Sequence, residues 1–106
     1  MAWLYLLIAG VFETGWAIGL KYSDGFKNLI ATSWTVVSMA LSLYFLSLSL
    51  KTIPIGTAYA VWTGIGALGA FVLGIVLFNE PMDFWRIFFI SLLIISLAGL
   101  KVTSGF

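Results

Sequence analysis

Glu13 and Trp16 are the residues of this chain whose types and spacing offer the most chemistry. Residues three and four apart share one face of a helix, so Glu13 stands with Ala9, Gly10, Trp16 and Ala17, a carboxylate and one broad aromatic among small residues. No other charged side chain lies between Met1 and Leu20, a run of the length that crosses a bilayer. An isolated ionisable group in such a run is costly and marks a functional site by default. A low dielectric favours its protonated form, and once ionised it calls for a cation. Every Lys and Arg falls at or near a predicted helix end, so no resident cation is placed to neutralise Glu13. The site therefore takes a proton or a small cation, and Trp16, Tyr59 and Trp62 add cation–π attraction if their faces line it.

Further polar residues sit on the next two apolar runs. Thr35, Ser38, Ser42 and Ser49 recur at helical spacing. Hydroxyls in membrane helices often satisfy their own backbone carbonyls, but a rise of about 1.5 Å per residue puts Ser42 within about one turn of the height of Glu13. Tyr59, Trp62 and Thr63 share a face of the third run, which continues as Gly64-Ile65-Gly66-Ala67-Leu68-Gly69. This matches the G-x-G-x-x-G pattern, yet it lies inside a membrane span without the strand and later acidic residue that a dinucleotide fold requires. Its glycines suit either a hinge at Gly64 and Gly66 or close helix packing. Gly15 with Gly19, and Gly66 with Ala70 and Gly74, form small-residue pairs and stripes of the packing kind. Counted from a common membrane face, Glu13 lies about 17 Å deep and Trp62 about 8 Å, so the two miss each other in one upright chain; in an inverted neighbour Trp62 would lie about 22 Å deep.

These residues must be positioned by helices that span a bilayer. The chain has 106 residues, 62% hydrophobic and 8% charged, with a mean hydropathy of +1.15. The expected fold is all-α, a single compact domain of four antiparallel transmembrane helices at about 2–20, 29–50, 57–78 and 84–100. Tyr22-Ser23-Asp24-Gly25, Pro54 with Gly56, and Glu80-Pro81 supply the turns, and Asp83 is placed to cap the last helix. Trp3, Tyr22, Phe26, Phe84 and Trp85 fall near helix ends, where aromatic anchors are expected. The first apolar run has no basic segment before it and is too long for a signal peptide, which places it in the mature protein. The amino terminus, Lys51 and Lys101 share one side against Lys21, Lys27 and Arg86 on the other. That near-balance gives the positive-inside rule little to act on and favours insertion in both orientations over a single topology fixed by one dominant basic residue. An oppositely inserted second copy would supply the inverted half that alternating access needs, since the chain shows no internal repeat.

The inventory excludes much else. With no Cys and no His there is no disulfide framework, zinc site or imidazole or thiol catalysis. No nucleophile–base pair or metal set appears, so neither an enzyme nor a cofactor is expected. A thinly spread charge of +1 gives no stripe for tracking phosphates, so nucleic acid is not an expected partner.

Over essentially its whole length the chain resembles the small multidrug resistance family of transporters, in its guanidinium exporter branch. The resemblance rests on the buried Glu13, on Trp16-Ala17-Ile18-Gly19-Leu20-Lys21, and on the specific run from Pro54-Ile55-Gly56-Thr57-Ala58-Tyr59 through Trp62-Thr63-Gly64-Ile65-Gly66. It implies a multi-pass protein of the bacterial plasma membrane (the inner membrane) working as an antiparallel homodimer, a proton-coupled antiporter in which protons and substrate compete for Glu13. It further implies that Gly10, Trp16, Ser42, Tyr59 and Trp62 line the site and that the Gly64–Gly66 region bends the third helix. Trp16 points to guanidinium and small guanidinyl cations, because the multidrug branch generally carries a smaller residue there. The same-class alternative is export of quaternary ammonium compounds; the alternative of another class is a non-transporting membrane assembly subunit. Thr14 and Gly15 stand where many exporters of this branch have bulkier apolar residues, and Ala31-Thr32 lacks a proline often found near the start of the second helix. Looser packing near the site and a broader substrate range are the expected consequences.

Overall fold

The computed structural model describes residues 1–104. Those residues form four helices, α1 (Ala2–Tyr22), α2 (Leu29–Ser49), α3 (Ile55–Phe78) and α4 (Phe84–Ser104), and no strand. Each is long and apolar enough to cross a membrane. The helices run past several of the predicted ends. α1 extends through Lys21 to Tyr22, and α4 continues beyond Lys101, because a terminal basic side chain can reach the interface while its backbone stays helical. α3 starts at Ile55, immediately after Pro54, whose fixed φ of −57° suits the position before a helix.

The connections are built from local capping. Ser23 is fully buried; its hydroxyl donates to the Leu20 carbonyl at 2.6 Å and accepts from the Phe26 amide at 3.3 Å. Asp24, Gly25 and Phe26 all take positive φ, and Asn28 then caps α2 by accepting from the Ala31 amide. Asn79 ends α3 in the left-handed region. Asp83 accepts from the Arg86 amide at 2.9 Å and so caps α4.

The helices pack as a slab, 43 × 35 × 17 Å, and not as the compact bundle expected from the sequence. α1 is the centre, with α2 on one side and α3 on the other; the backbone of α4 approaches α3 alone, and α4 reaches α1 only through side chains such as Lys101. The reason lies in side-chain size. α1, α2 and α3 meet through glycines, alanines and hydroxyl residues, which permit close approach. α4 presents Phe84, Trp85, Phe88 and Phe89, all exposed, and buries none of its described residues fully. The core is small: Leu6, Ala9, Leu46, Ile53, Ala58, Val61 and Trp62.

Two contacts fix the relative directions. Lys21 pairs with Glu80 at 2.8 Å and lies over the Phe78 ring at 4.5 Å, joining the C-terminal ends of α1 and α3. At the opposite end Lys101 lies over Trp3, 4.7 Å from the ring centre, joining the end of α4 to the start of α1. The hydrogen bond from Lys21 holds the Glu80 carboxyl below the usual carboxylate range.

Candidate functional site

Glu13 lies midway along α1 and turns its carboxylate toward α3. Its Oε2 is buried and accepts no hydrogen bond from the described residues. The atom rests against the backbone of Gly66, where a methyl group would come within 2.5 Å of the Glu13 Cδ and 2.8 Å of its Cγ. Ordinary carbon contact begins near 3.4 Å, so only glycine leaves room for the carboxylate. No Lys or Arg side chain pairs with Glu13; the two ion pairs among the described residues are Lys21–Glu80 and Asp83–Arg86, both at helix ends.

Trp16, one turn along, has the same character. The ring is half-buried, and its Nε1 is buried with no acceptor among the described residues. A carboxylate oxygen and an indole N–H, both desolvated and unpaired, thus occur three residues apart on one helix face. Buried polar atoms are nearly always hydrogen-bonded in proteins; the side-chain exceptions among the described residues all lie on α1, at Trp3, Glu13 and Trp16, and the last two share one face a turn apart.

Ser42 differs from the other α2 hydroxyls. Thr35 and Ser49 bond to carbonyls of their own helix, at Ala31 and Leu46. Ser42 reaches across instead, donating to the Ala9 carbonyl of α1 at 2.6 Å while accepting from Trp62 Nε1 at 2.8 Å. Three helices are tied at one point, one turn from Glu13, and the Trp62 indole is 8% exposed. The tie sits at Ala9, four residues before Glu13, while Gly66, four residues after Trp62, is level with Glu13. The offset between Glu13 and Trp62 is therefore about one turn, roughly 6 Å, where counting from the helix starts gave about 9 Å. α3 begins earlier and lies deeper beside α1 than its sequence boundaries suggested.

The remaining candidates divide. Tyr59 packs edge-on against Trp62, with ring centres 5.5 Å apart, but is 57% exposed and stands seven residues, about 10 Å of helix, before the Gly66 level at which Glu13 sits. Gly10 is buried under Ile65, whose Cβ would lie 2.7 Å from any Cβ at position 10. It permits the approach of α3 and is not open to a ligand. α3 is continuous across Gly64 and Gly66. Gly64 seats Leu97 of α4, Gly66 seats Glu13, Gly69 seats Thr14 and Gly74 seats Glu80, so each is a notch for a named side chain. On the other flank of α1, Gly19 seats Trp34 and Thr35, and the Trp34 indole donates to the Gly15 carbonyl at 2.9 Å.

Sequence reasoning undervalued Thr14. The expectation was looser packing; the side chain is instead buried, fits the notch at Gly69 and places its hydroxyl between two backbone carbonyls. The available signal was a hydroxyl next to the only carboxylate of the span. The Lys21–Glu80 pair, 59 residues apart in sequence, left no signal at all.

The chain is similar to known proteins across nearly its whole length. It is 51% identical to a guanidinium exporter of Yersinia pseudotuberculosis over 104 residues, covering 98% of this chain and 100% of the relative. It is 45% identical to guanidinium exporters of Salmonella typhimurium and of Escherichia coli K12, each alignment covering 98% of this chain and 99% of the relative. These relatives are bacterial transporters, and the four apolar helices fit a multi-pass protein of the bacterial inner membrane. With residues 1–93 matching the family described as Small Multidrug Resistance protein, this chain belongs to that family.

Proposed function

We propose that this chain exports guanidinium and small guanidinyl cations in exchange for protons, with both ligands competing for Glu13. The observation that supports this reading best is the buried, unpaired Glu13 Oε2 facing the Gly66 notch in a chain half identical to guanidinium exporters. A guanidinium ion is a planar fork that donates two parallel N–H bonds to one carboxylate. Ionised, Glu13 accepts that fork; protonated, it loses the charge that attracts it. Single occupancy of one carboxylate couples the two fluxes if the protein opens to one side at a time.

The functional unit in this reading is a homodimer of oppositely oriented copies, so that the two access states are one structure viewed from opposite sides. The exposed aromatic face of α4 and the exposed Tyr59 suit burial against a second chain. Tyr59 would then serve a shared site that it does not reach within its own chain. The balance of basic residues on the two sides favours insertion in both orientations.

The test is transport by purified protein in liposomes under an imposed proton gradient, comparing guanidinium, a methylated guanidine and a tetraalkylammonium ion. Proton-driven guanidinium movement that Glu13→Gln abolishes is expected. Preference for the tetraalkylammonium ion would transfer the chain to the quaternary ammonium reading. Absence of transport of all three would support an assembly role.

A further inference from the structure

Thr14 follows Glu13 directly and is 9% exposed. Its hydroxyl oxygen lies 3.2 Å from the Gly10 carbonyl, one turn back in α1, and 3.4 Å from the Gly66 carbonyl of α3. A threonine has one hydroxyl proton, so that proton is offered two acceptors, one on each helix. The side chain also fills the notch at Gly69, where a Cβ would meet the hydroxyl oxygen first and come within 2.7 Å of the Thr14 Cγ2. Gly66 is also the backbone segment against which the buried oxygen of Glu13 rests. The residue beside the carboxylate thus grips the part of α3 that walls it.

From this arrangement we infer that Thr14 is a positioning residue for the cation site: its hydroxyl fixes the Gly66 carbonyl relative to α1 and so sets the space open to Glu13. The second acceptor has its own role. A buried donor left without a partner is strongly penalised. When α3 moves away from α1, the proton turns to the Gly10 carbonyl and no donor is stranded, so the contact between the helices can open and close at low cost. A valine here would fill the same notch but could not bond, and α3 would lie against Glu13 by van der Waals contact alone. The inference rests on the reading of Glu13 as the cation site, and its test includes an arm that needs no substrate.

Thr14→Val keeps the shape and deletes the hydroxyl; Thr14→Ser keeps the hydroxyl and deletes the methyl. The dipeptide Gly-Ala occurs in this sequence only at 66–67 and 69–70. Protein labelled with carbonyl ¹³C at glycine and ¹⁵N at alanine therefore gives one carbonyl signal for Gly66 and one for Gly69. Thr14→Val is expected to move the Gly66 signal and Thr14→Ser to spare it, while Gly69, which meets both the hydroxyl oxygen and the methyl, responds to both variants. In liposomes Thr14→Val should raise the half-saturating guanidinium concentration about threefold, the size of one interhelical hydrogen bond in a membrane, with the maximal rate retained and the serine variant near wild type. A Gly66 signal unmoved by Thr14→Val would overturn the inference, as would equal transport effects of valine and serine. If Gly66 responds as expected while wild-type protein moves no guanidinium, the hydroxyl's grip on α3 holds and the transport reading fails.

Discussion

Replacing Gly66 with alanine tests whether the seat of Glu13 is what the site depends on. The new Cβ would lie 2.5 Å from the Glu13 Cδ, whereas ordinary contact starts at 3.4 Å, so something must yield by about 0.9 Å. Alanine is the better helix former by about 1 kcal/mol, and overpacking costs about 1–3 kcal/mol, so the fold should survive with little net change. The carboxylate is the freer of the two groups and is the one displaced. A misplacement of about 1 Å in a reacting group can cost about 10²-fold; for a bound cation a loss of at least about tenfold in transport efficiency is expected, read from initial guanidinium uptake against concentration. Gly15→Ala is the control. Its Cβ would meet Ser38 and Trp34 at 3.6 Å, an ordinary contact, so transport should stay within about twofold of wild type. Undiminished transport by Gly66→Ala would refute the placement of the carboxylate, and equal damage from Gly15→Ala would show that loss of glycine as such, and not the contact, is responsible.

Two predictions concern the ties between helices. Trp62→Phe removes both the donor to Ser42 and part of a buried ring, so the bond is read from a double-mutant cycle: combining Trp62→Phe with Ser42→Ala should show a coupling of about 0.6 kcal/mol in an unfolding titration in mixed micelles. Strictly additive costs would contradict the three-helix tie. The Lys21–Glu80 pair should depend on pH and salt. Because Lys21 lowers the Glu80 carboxyl in the folded chain, the pair's contribution is present above the ordinary value of 4.5 and is lost as pH falls through the lower folded value. The stability difference between wild type and Glu80→Gln should therefore be constant near neutral pH, vanish in acid and shrink at high salt; a difference that persists in acid would sink the assignment.

The four spans were legible because charge-free runs in a chain of this composition have few other readings, and Glu13 stood out for the same reason. Ser42 could be singled out by counting rise along two helices. Lateral arrangement was harder to read, since periodicity identifies a helix face without naming its neighbour. Nothing in the spacing of Tyr59 and Trp62 shows that one ring is buried and the other exposed. The depth of α3 was misjudged because its start depends on Pro54, whereas the sequence boundary was set after Gly56, at Thr57. The glycines of α3 were recognised as suited to packing, but which residue each one seats is a property of three helices together.

The notches along α3 also constrain how this chain can change over time. Position 69 can gain a side chain only if position 14 gives one up, and position 64 only if position 97 does, because each pair shares a single volume. Substitutions there should travel together, so that what looks like two independent sites behaves as one. Position 66 has no such exchange open to it. Its counterpart is the carboxylate itself, and any bulk gained by α3 at that level comes out of the room left for Glu13.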